Sequence, residues 1–161
     1  MMKILLFAAL AFAMTAAPVS AWSQARTAES VLDANRTAVG SMPTTGVARL
    51  QFDYHSSGLT GTQTTTVDLA TGAYTDAQES GDVSFASGYD GRVPWQRDIS
   101  RTYTPQQGGD RVQVAINAAY RYSNSWWRGD RGGATLAYIG RETLDGRSLD
   151  HVAVTPKGGK R

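Results

Sequence analysis

At 161 residues, with 16 basic side chains against 14 acidic ones, the chain is about one ordinary domain of near-neutral charge. That balance, spread along the chain with no basic stripe, argues against a nucleic-acid binder. The absence of cysteine excludes a disulfide framework, a thiolate metal site and a cysteine nucleophile, so stability has to come from packing.

The N-terminus reads as a secretory signal. Lys3 gives a short positive segment, residues 4–15 form an apolar run closed by Thr15, and Pro18 precedes Val19-Ser20-Ala21, whose small residues suit a signal peptidase. Cleavage is expected after residue 21, with Ser23-Gln24-Ala25 offering an alternative site after residue 25. The run is short for a span of about 20 apolar residues, so no stable membrane anchor is expected. The mature protein is therefore read as exported, periplasmic or secreted. A single α+β domain is expected over residues 26–157, followed by a small basic tail at 158–161.

Thr27 is placed to cap a helix over residues 27–39, with Glu29 in its first turn and Val31, Leu32, Ala34, Ala38 and Val39 as its apolar stripe. Gly40 and Pro43 end it. From Gly46 the period becomes two: Leu50, Phe52 and Tyr54 alternate with Arg49, Gln51 and Asp53, predicting a strand with one buried face. Leu59-Thr60-Gly61 reads as a break. A threonine-rich strand over 62–69 then sets Thr65, Val67 and Leu69 on one face. Turns at 70–72 and 80–81 lead into strands over 73–79 and 83–89, the spacing of an antiparallel sheet.

Two Asp-Gly pairs supply the positive-φ residues of tight hairpins. Asp90-Gly91 is expected to join strands 83–89 and 92–99, with Pro94 marking the second strand as an edge or a bulge. Asp145-Gly146 is expected to join 134–144 and 147–155. A two-residue turn there sets Ile139 opposite Val152, Ala137 opposite Val154 and Arg141 opposite Asp150. Between the hairpins, Asp110 is a candidate cap for a helix over 111–125. Val112, Ile116, Ala119 or Tyr120, Ser123 and Trp127 fall at helical spacing, and the Ala-rich continuation after Val114 favours helix over strand. Residues 128–133 read as a polar glycine-rich loop.

No catalytic set emerges. His55 and His151 stand alone, with no ligand spacing around them. There is no Gly-x-Ser-x-Gly elbow, only three Glu are present, and the eleven Asp mostly mark turns or strand ends. Arg131-Gly132-Gly133 lacks the strand, Lys and Ser/Thr of a phosphate loop. No catalytic residue, metal ligand or cofactor is expected. What remains is a set of aromatics whose first reading is core packing of a sheet on a helix. A sharper reading is a hydrophobic cavity for a lipid or acyl chain, with Trp95, Tyr120, Trp126, Trp127 and Tyr138 as candidate ligand-binding residues. A third is a sugar-stacking platform at Trp126-Trp127.

The order helix, antiparallel strands, Gly88-Tyr89-Asp90-Gly91-Arg92-Val93-Pro94-Trp95-Gln96-Arg97-Asp98, helix and hairpin resembles the LolA/LolB-like exported fold. That resemblance implies a curved antiparallel sheet, a half-barrel whole or incomplete, wrapped on one or two α-helices. Residues 60–160 more closely resemble the N-terminal region of bacterial exported retropepsin-like aspartyl proteases. The likeness is carried by Leu59-Thr60-Gly61-Thr62, Asp68-Leu69-Ala70-Thr71-Gly72, the turn from Tyr89-Asp90-Gly91 to Trp95, and Thr104-Pro105-Gln106-Gln107-Gly108-Gly109-Asp110. Ala119-Tyr120-Arg121, Trp126-Trp127-Arg128, Asp130-Arg131-Gly132-Gly133 and Val154-Thr155-Pro156-Lys157-Gly158-Gly159-Lys160 complete it. Such an enzyme needs Asp-Thr-Gly or Asp-Ser-Gly, because its catalytic Asp must share a water and a proton with a second copy. None of the eleven Asp is followed by either pair, so no catalytic residue carries over.

The resulting expectation is a non-catalytic exported module that binds an apolar ligand or a polypeptide through a curved aromatic-lined sheet. A truncated N-terminal region of an aspartyl protease lacking its catalytic domain and a carbohydrate-binding domain are the alternatives.

Overall fold

In the computed structural model, which describes residues 26–56 and 58–160, Thr27 opens the first helix as its position predicts. Its hydroxyl accepts from the Ser30 N–H while the Ser30 hydroxyl accepts from the Thr27 N–H, a reciprocal cap on α1 (Ala28–Val39). The signal read at residues 1–21 or 1–25, and Arg161 at the end of the tail, lie outside the described residues. No helix among the described residues is long and apolar enough to cross a membrane.

Six strands follow: β1 (Val47–Ser56), β2 (Leu59–Asp68), β3 (Tyr74–Ser80), β4 (Val83–Tyr89), β5 (Pro94–Arg97) and β6 (Tyr103–Pro105). They pair antiparallel in chain order, so the sheet is a plain meander with β1 and β6 at its edges. Next come α2 (Gly109–Tyr122), single 3-10 turns at Ser125–Trp127 and Arg131–Gly133, and a separate ribbon of β7 (Thr135–Leu144) and β8 (Arg147–Thr155). The architecture is α+β, mostly antiparallel, as the alternating strand and turn pattern requires.

Thr65, Val67 and Leu69 are all buried, as their shared face on the threonine-rich strand predicts. The break expected at Leu59-Thr60-Gly61 is not one. The chain turns a little earlier, Ser56 facing Leu59, and β2 runs straight through Gly61. Glycine is there for clearance. A β-carbon on it would stand 2.0 Å from the Glu79 carbonyl oxygen and 3.0 Å from the Tyr54 ring.

The first Asp-Gly pair also departs from its prediction. Tyr89 pairs with Pro94 rather than with residue 92, leaving a four-residue loop in which the Asp90 carboxylate accepts from the Arg92 and Val93 amides. Gly91 has a positive φ of 98° but Asp90 does not, because those two side-chain hydrogen bonds hold the loop in place of a two-residue turn. Pro94 is tolerated in a strand flanked on both sides because it is that strand's first residue. The strand's other partner, β6, lies in a stretch for which the sequence predicted no element.

The second Asp-Gly pair behaves as predicted, with φ of 50° and 73° and Leu144 facing Arg147. Arg141 faces Asp150, also as expected. Beyond Gly140, which faces His151 and has a φ of 141°, Ile139 is left unpaired and Tyr138 faces Val152. This one-residue bulge replaces the expected pairs Ile139–Val152 and Ala137–Val154 with Tyr138–Val152 and Leu136–Val154. It turns Ile139 outward and aims the Tyr138 hydroxyl at Asp150, 2.9 Å away.

α1 lies on this ribbon through its first turns only. Ala28 is buried and Val31 and Leu32 are half-buried, but Ala34, Ala38 and Val39 of its expected stripe are exposed. α2 starts earlier than expected: Asp110 sits in its first turn, and Gly108 is the N-cap with no side-chain cap. The expected stripe holds in part, with Ala119 and Ser123 buried and Val112 and Ile116 half-buried.

Two arginines after α2 join the parts. Arg128 donates to the Leu69 and Ala70 carbonyls at 2.5 and 2.9 Å, reaching the β2–β3 turn. The buried Arg131 donates to the Asp33 carboxylate of α1 at 2.5 Å and to the Trp126 carbonyl at 3.0 Å.

Two stability predictions follow from these contacts, each readable by urea unfolding. Gly61→Ala should lower stability by about 1–3 kcal/mol, since backbone rather than a movable side chain blocks the new methyl. Gly58→Ala, with open space around it, should lose about 1 kcal/mol or less from its positive φ alone. Arg131→Ala should lose about 1.5–3 kcal/mol by leaving its carbonyl and carboxylate partners unmatched, and Arg131→Lys should recover only part of that.

Candidate functional site

The largest concentration of aromatic contacts lies where α2 crosses the sheet. Ala115 and Ala119 are the small residues that let the helix approach, and they bury Tyr89 with Tyr74 and Ile116 alongside. The ring centres of Tyr74 and Tyr89 are 6.5 Å apart, and Tyr122 meets Tyr74 edge-on at 5.1 Å. The Arg121 guanidinium sits over the outer part of this group, 5.1 Å from the Tyr122 ring centre.

Toward the N-terminal half of α2 this packing opens into a cleft of about 490 Å³. Tyr74 and Pro94 of the sheet and Val114 and Ala115 of the helix give it an apolar lining, with Trp95 at its border. Asp110, Arg111 and Lys160 supply polar and charged groups, with the Lys160 ammonium 3.8 Å from the Asp110 carboxylate. Ser87, Gln96 and Gln106 also line it, and a cleft of this size with one apolar and one polar side suits a small amphipathic molecule.

The strand register puts Leu50 and Phe52 of β1, and Val83 and Phe85 of β4, on the same sheet face as Val67, Tyr74 and Tyr89. Leu50, Phe52 and Val83 are exposed, and Phe85 is half-buried. This outlying apolar surface is separated from the cleft by a polar row. Asp76 there accepts two hydrogen bonds from the Gln63 amide, at 2.8 and 2.9 Å, and one from Thr65 at 3.3 Å.

The five aromatics singled out in the sequence fall in different places. Trp95 borders the cleft, but its ring covers Gly88 on the sheet face opposite Tyr74 and Tyr89, 5.4 Å from Tyr103. Tyr120 borders a smaller hollow of about 220 Å³ beside Tyr89, Ile116 and Pro156, and donates to the Arg131 carbonyl at 2.9 Å. Trp127 is buried and meets Trp126 edge to face, 4.7 Å between ring centres and 86° between planes. The pair therefore does not present two flat faces side by side. Tyr138 is held by Asp150 on the ribbon.

Tyr74, Pro94 and Val114 were missed. The i, i+4 spacing of Asp110 with Val114 and of Arg111 with Ala115 marks a second face of α2, legible once the helix is accepted.

Burial, with Tyr122 and Asp76 adding to it, pushes the Tyr74 phenol above its ordinary range, and burial does the same for Tyr89. Both phenols therefore stay protonated near neutral pH. Among the described residues, no group of three or more His, Asp or Glu side chains is placed to hold a metal ion. His55 lies 3.0 Å from the Thr60 hydroxyl on the exposed β1–β2 hairpin, and His151 is exposed on β8.

Turn carboxylates shift the other way. Asp68 is lowered by the Thr71 and Ala70 amides, Asp90 by those of Val93 and Arg92, and Asp98 by the Ser100 hydroxyl and the Thr102 amide. Partial desolvation raises Asp150, but Tyr138, Arg141 and Arg26 outweigh it and hold the net value low. A carboxylate lowered on folding stabilises the native state above its unfolded value of about 4 and loses that effect as pH falls through the folded value. A phenol raised on folding stabilises below about 10 and loses its effect as pH rises toward the folded value. The unfolding free energy measured across pH should therefore fall on both sides of a neutral plateau. Asp90→Asn, which keeps an acceptor but cannot titrate, should flatten the acid limb, and Tyr74→Phe should flatten the alkaline one.

Comparison with protein-family models, with curated proteins and with solved structures found no match to this chain.

Proposed function

We propose that the protein is a non-catalytic exported module that binds an apolar ligand, such as an acyl chain, between α2 and the sheet. The observation that carries this reading is the cleft of about 490 Å³ whose apolar lining comes from Tyr74, Pro94, Val114 and Ala115. The Tyr74 phenol that lines it is pushed above its ordinary range, so the charges there are those of Asp110, Arg111 and Lys160. Arg111 and Lys160 offer cationic partners for an acidic head group. Release of water from a lining of this kind contributes about 25 cal/mol for each Å² of apolar surface covered.

The resemblance to the LolA/LolB-like fold agrees with this reading. A six-stranded antiparallel meander with a helix laid on one face is compatible with a half-barrel that cradles an apolar guest. An apolar stretch of polypeptide is the same chemistry in a different carrier, and would use the same lining.

Titration with a fluorescent long-chain fatty acid should give saturable binding. Val114→Glu sets a carboxylate in the cleft at a half-exposed helix position. It should weaken binding about tenfold, and unfolding stability should stay within about 0.5 kcal/mol of the parent. Val39→Glu, on the free end of α1, should change neither. Absence of saturable binding, or equal affinity in the Val114 variant, would remove the cleft from the account.

A further inference from the structure

The two edges of the six-stranded sheet are unlike. β6 is a three-residue edge, whereas β1 offers ten residues with no other described strand on its outer side. Soluble proteins ordinarily blunt such an edge with proline, lysine, a bulge or a covering segment. β1 contains no Pro and no Lys, and its pairing with β2 runs unbroken from Val47 to Ser56. Leu50 is 63% exposed and Phe52 43%, side by side on one face. On the opposite face Arg49, Gln51 and Asp53 are exposed. Their neighbours across β2 are Thr66, Thr64 and Thr62, which leave both charges unmatched within the chain.

We propose that this edge is a self-association site, at which two copies of the chain pair β1 with β1, antiparallel about a two-fold axis at Gln51. An isologous pair of this kind must centre on a residue, because opposed residues have to point their N–H and C=O groups the same way. Five central positions are available, and charge chooses among them. Centring on Arg49 sets arginine against arginine, and centring on Asp53 sets aspartate against aspartate. Centring on Leu50 puts Val47 against Asp53 and Arg49 against Gln51. Centring on Phe52 puts Arg49 against His55.

Centring on Gln51 alone matches every neighbour. Arg49 meets Asp53 twice on one face, and Leu50 meets Phe52 twice on the other. Ala48 meets Tyr54, Val47 meets His55, and Gln51 meets itself. Charge complementarity and side-by-side apolar contact thus arise from one register, which gives Leu50 and Phe52 the apolar neighbours that they lack on the free edge. The ligand cleft lies at the far end of the sheet, so this pairing does not depend on it.

Sedimentation equilibrium of the intact protein tests the pairing. The parent should show a monomer–dimer equilibrium at concentrations up to about 100 µM, the range expected of a small interface. Arg49→Asp and Asp53→Arg each convert two attractive contacts into two repulsive ones, and each should weaken the dimer at least about tenfold. Mixing these two variants should form a heterodimer as tight as the parent, since every opposed pair is then complementary. The double variant Arg49→Asp/Asp53→Arg should also recover. Both positions are exposed, so circular dichroism should be unchanged throughout. A parent that stays monomeric overturns the proposal. So do single variants that dimerise as well as the parent, or a mixture with no heterodimer.

Discussion

Two guanidinium groups three residues apart hold the parts of this molecule in one arrangement. The six-stranded sheet and the β7–β8 ribbon share no ladder hydrogen bonds, so nothing in the strand pairing itself sets one against the other. Arg128 reaches two carbonyls in the turn after β2, while Arg131 reaches a carboxylate on α1, which lies on the ribbon. Arginine suits both tasks because its planar fork can satisfy two acceptors while its charge persists at any relevant pH. The connection is short and rigid. Arg131 has a φ of 54°, followed by 59° and 69° at the next two glycines, and Tyr120 secures the Arg131 carbonyl from within α2. A strained backbone of this kind persists only where its surroundings over-determine it.

That dependence on polar fastening follows from how little is buried. The strictly buried apolar residues are few and mostly small, Ala28, Ala86, Ala115 and Ala119 among them, with Tyr89 and Trp127 as the large members. Small residues let α2 approach the sheet closely, but they contribute little apolar area each. The aromatic contacts around Tyr74 and Tyr89 therefore form the centre of packing, and the cleft is the same contact continued beyond the point where the alanines end. Cleft and core are thus one layer, filled by side chains near Ala119 and left open near Val114.

The sequence made the elements legible where a local rule acts alone. The Thr27 cap, the Asp145-Gly146 turn and the shared face of Thr65, Val67 and Leu69 were all readable, because each depends on neighbours within a few residues, whereas the answering Ser30 hydroxyl was not foreseen. The misreadings share a different cause. Gly61 looks like a chain break, and only the Glu79 carbonyl, eighteen positions away, shows it to be a clearance residue. The bulge at Ile139 breaks a register that the turn correctly fixed, and it does so to bring Tyr138 to Asp150. The alternation of Leu50 and Phe52 reads as a buried face, yet alternation records only that one face is apolar, and says nothing of what lies against it. The aromatics chosen as a site had the same weakness. Composition selects ring-bearing residues, but whether Trp127 is core and Trp95 borders the cleft depends on where α2 lands.

The exposed apolar face of β1 is where these threads meet. Scattered surface leucines are ordinary, because folded proteins lack enough polar atoms to cover themselves. Leu50 and Phe52 are a different case: they are consecutive on one face of an open edge strand, in a chain with no cysteine to compensate for lost cohesion. Packing inside the chain cannot account for them, since α2 occupies the other end of the sheet and α1 lies on the ribbon. Nor does the cleft use them, since the Gln63–Asp76 row lies between. An apolar pair with matched opposite charges on its reverse face is what two-fold pairing requires, and a bound acyl chain would need no such charges. The residues of β1 are therefore better explained by the proposed contact between copies than by the proposed ligand, and the pairing edge and the cleft occupy opposite ends of one sheet.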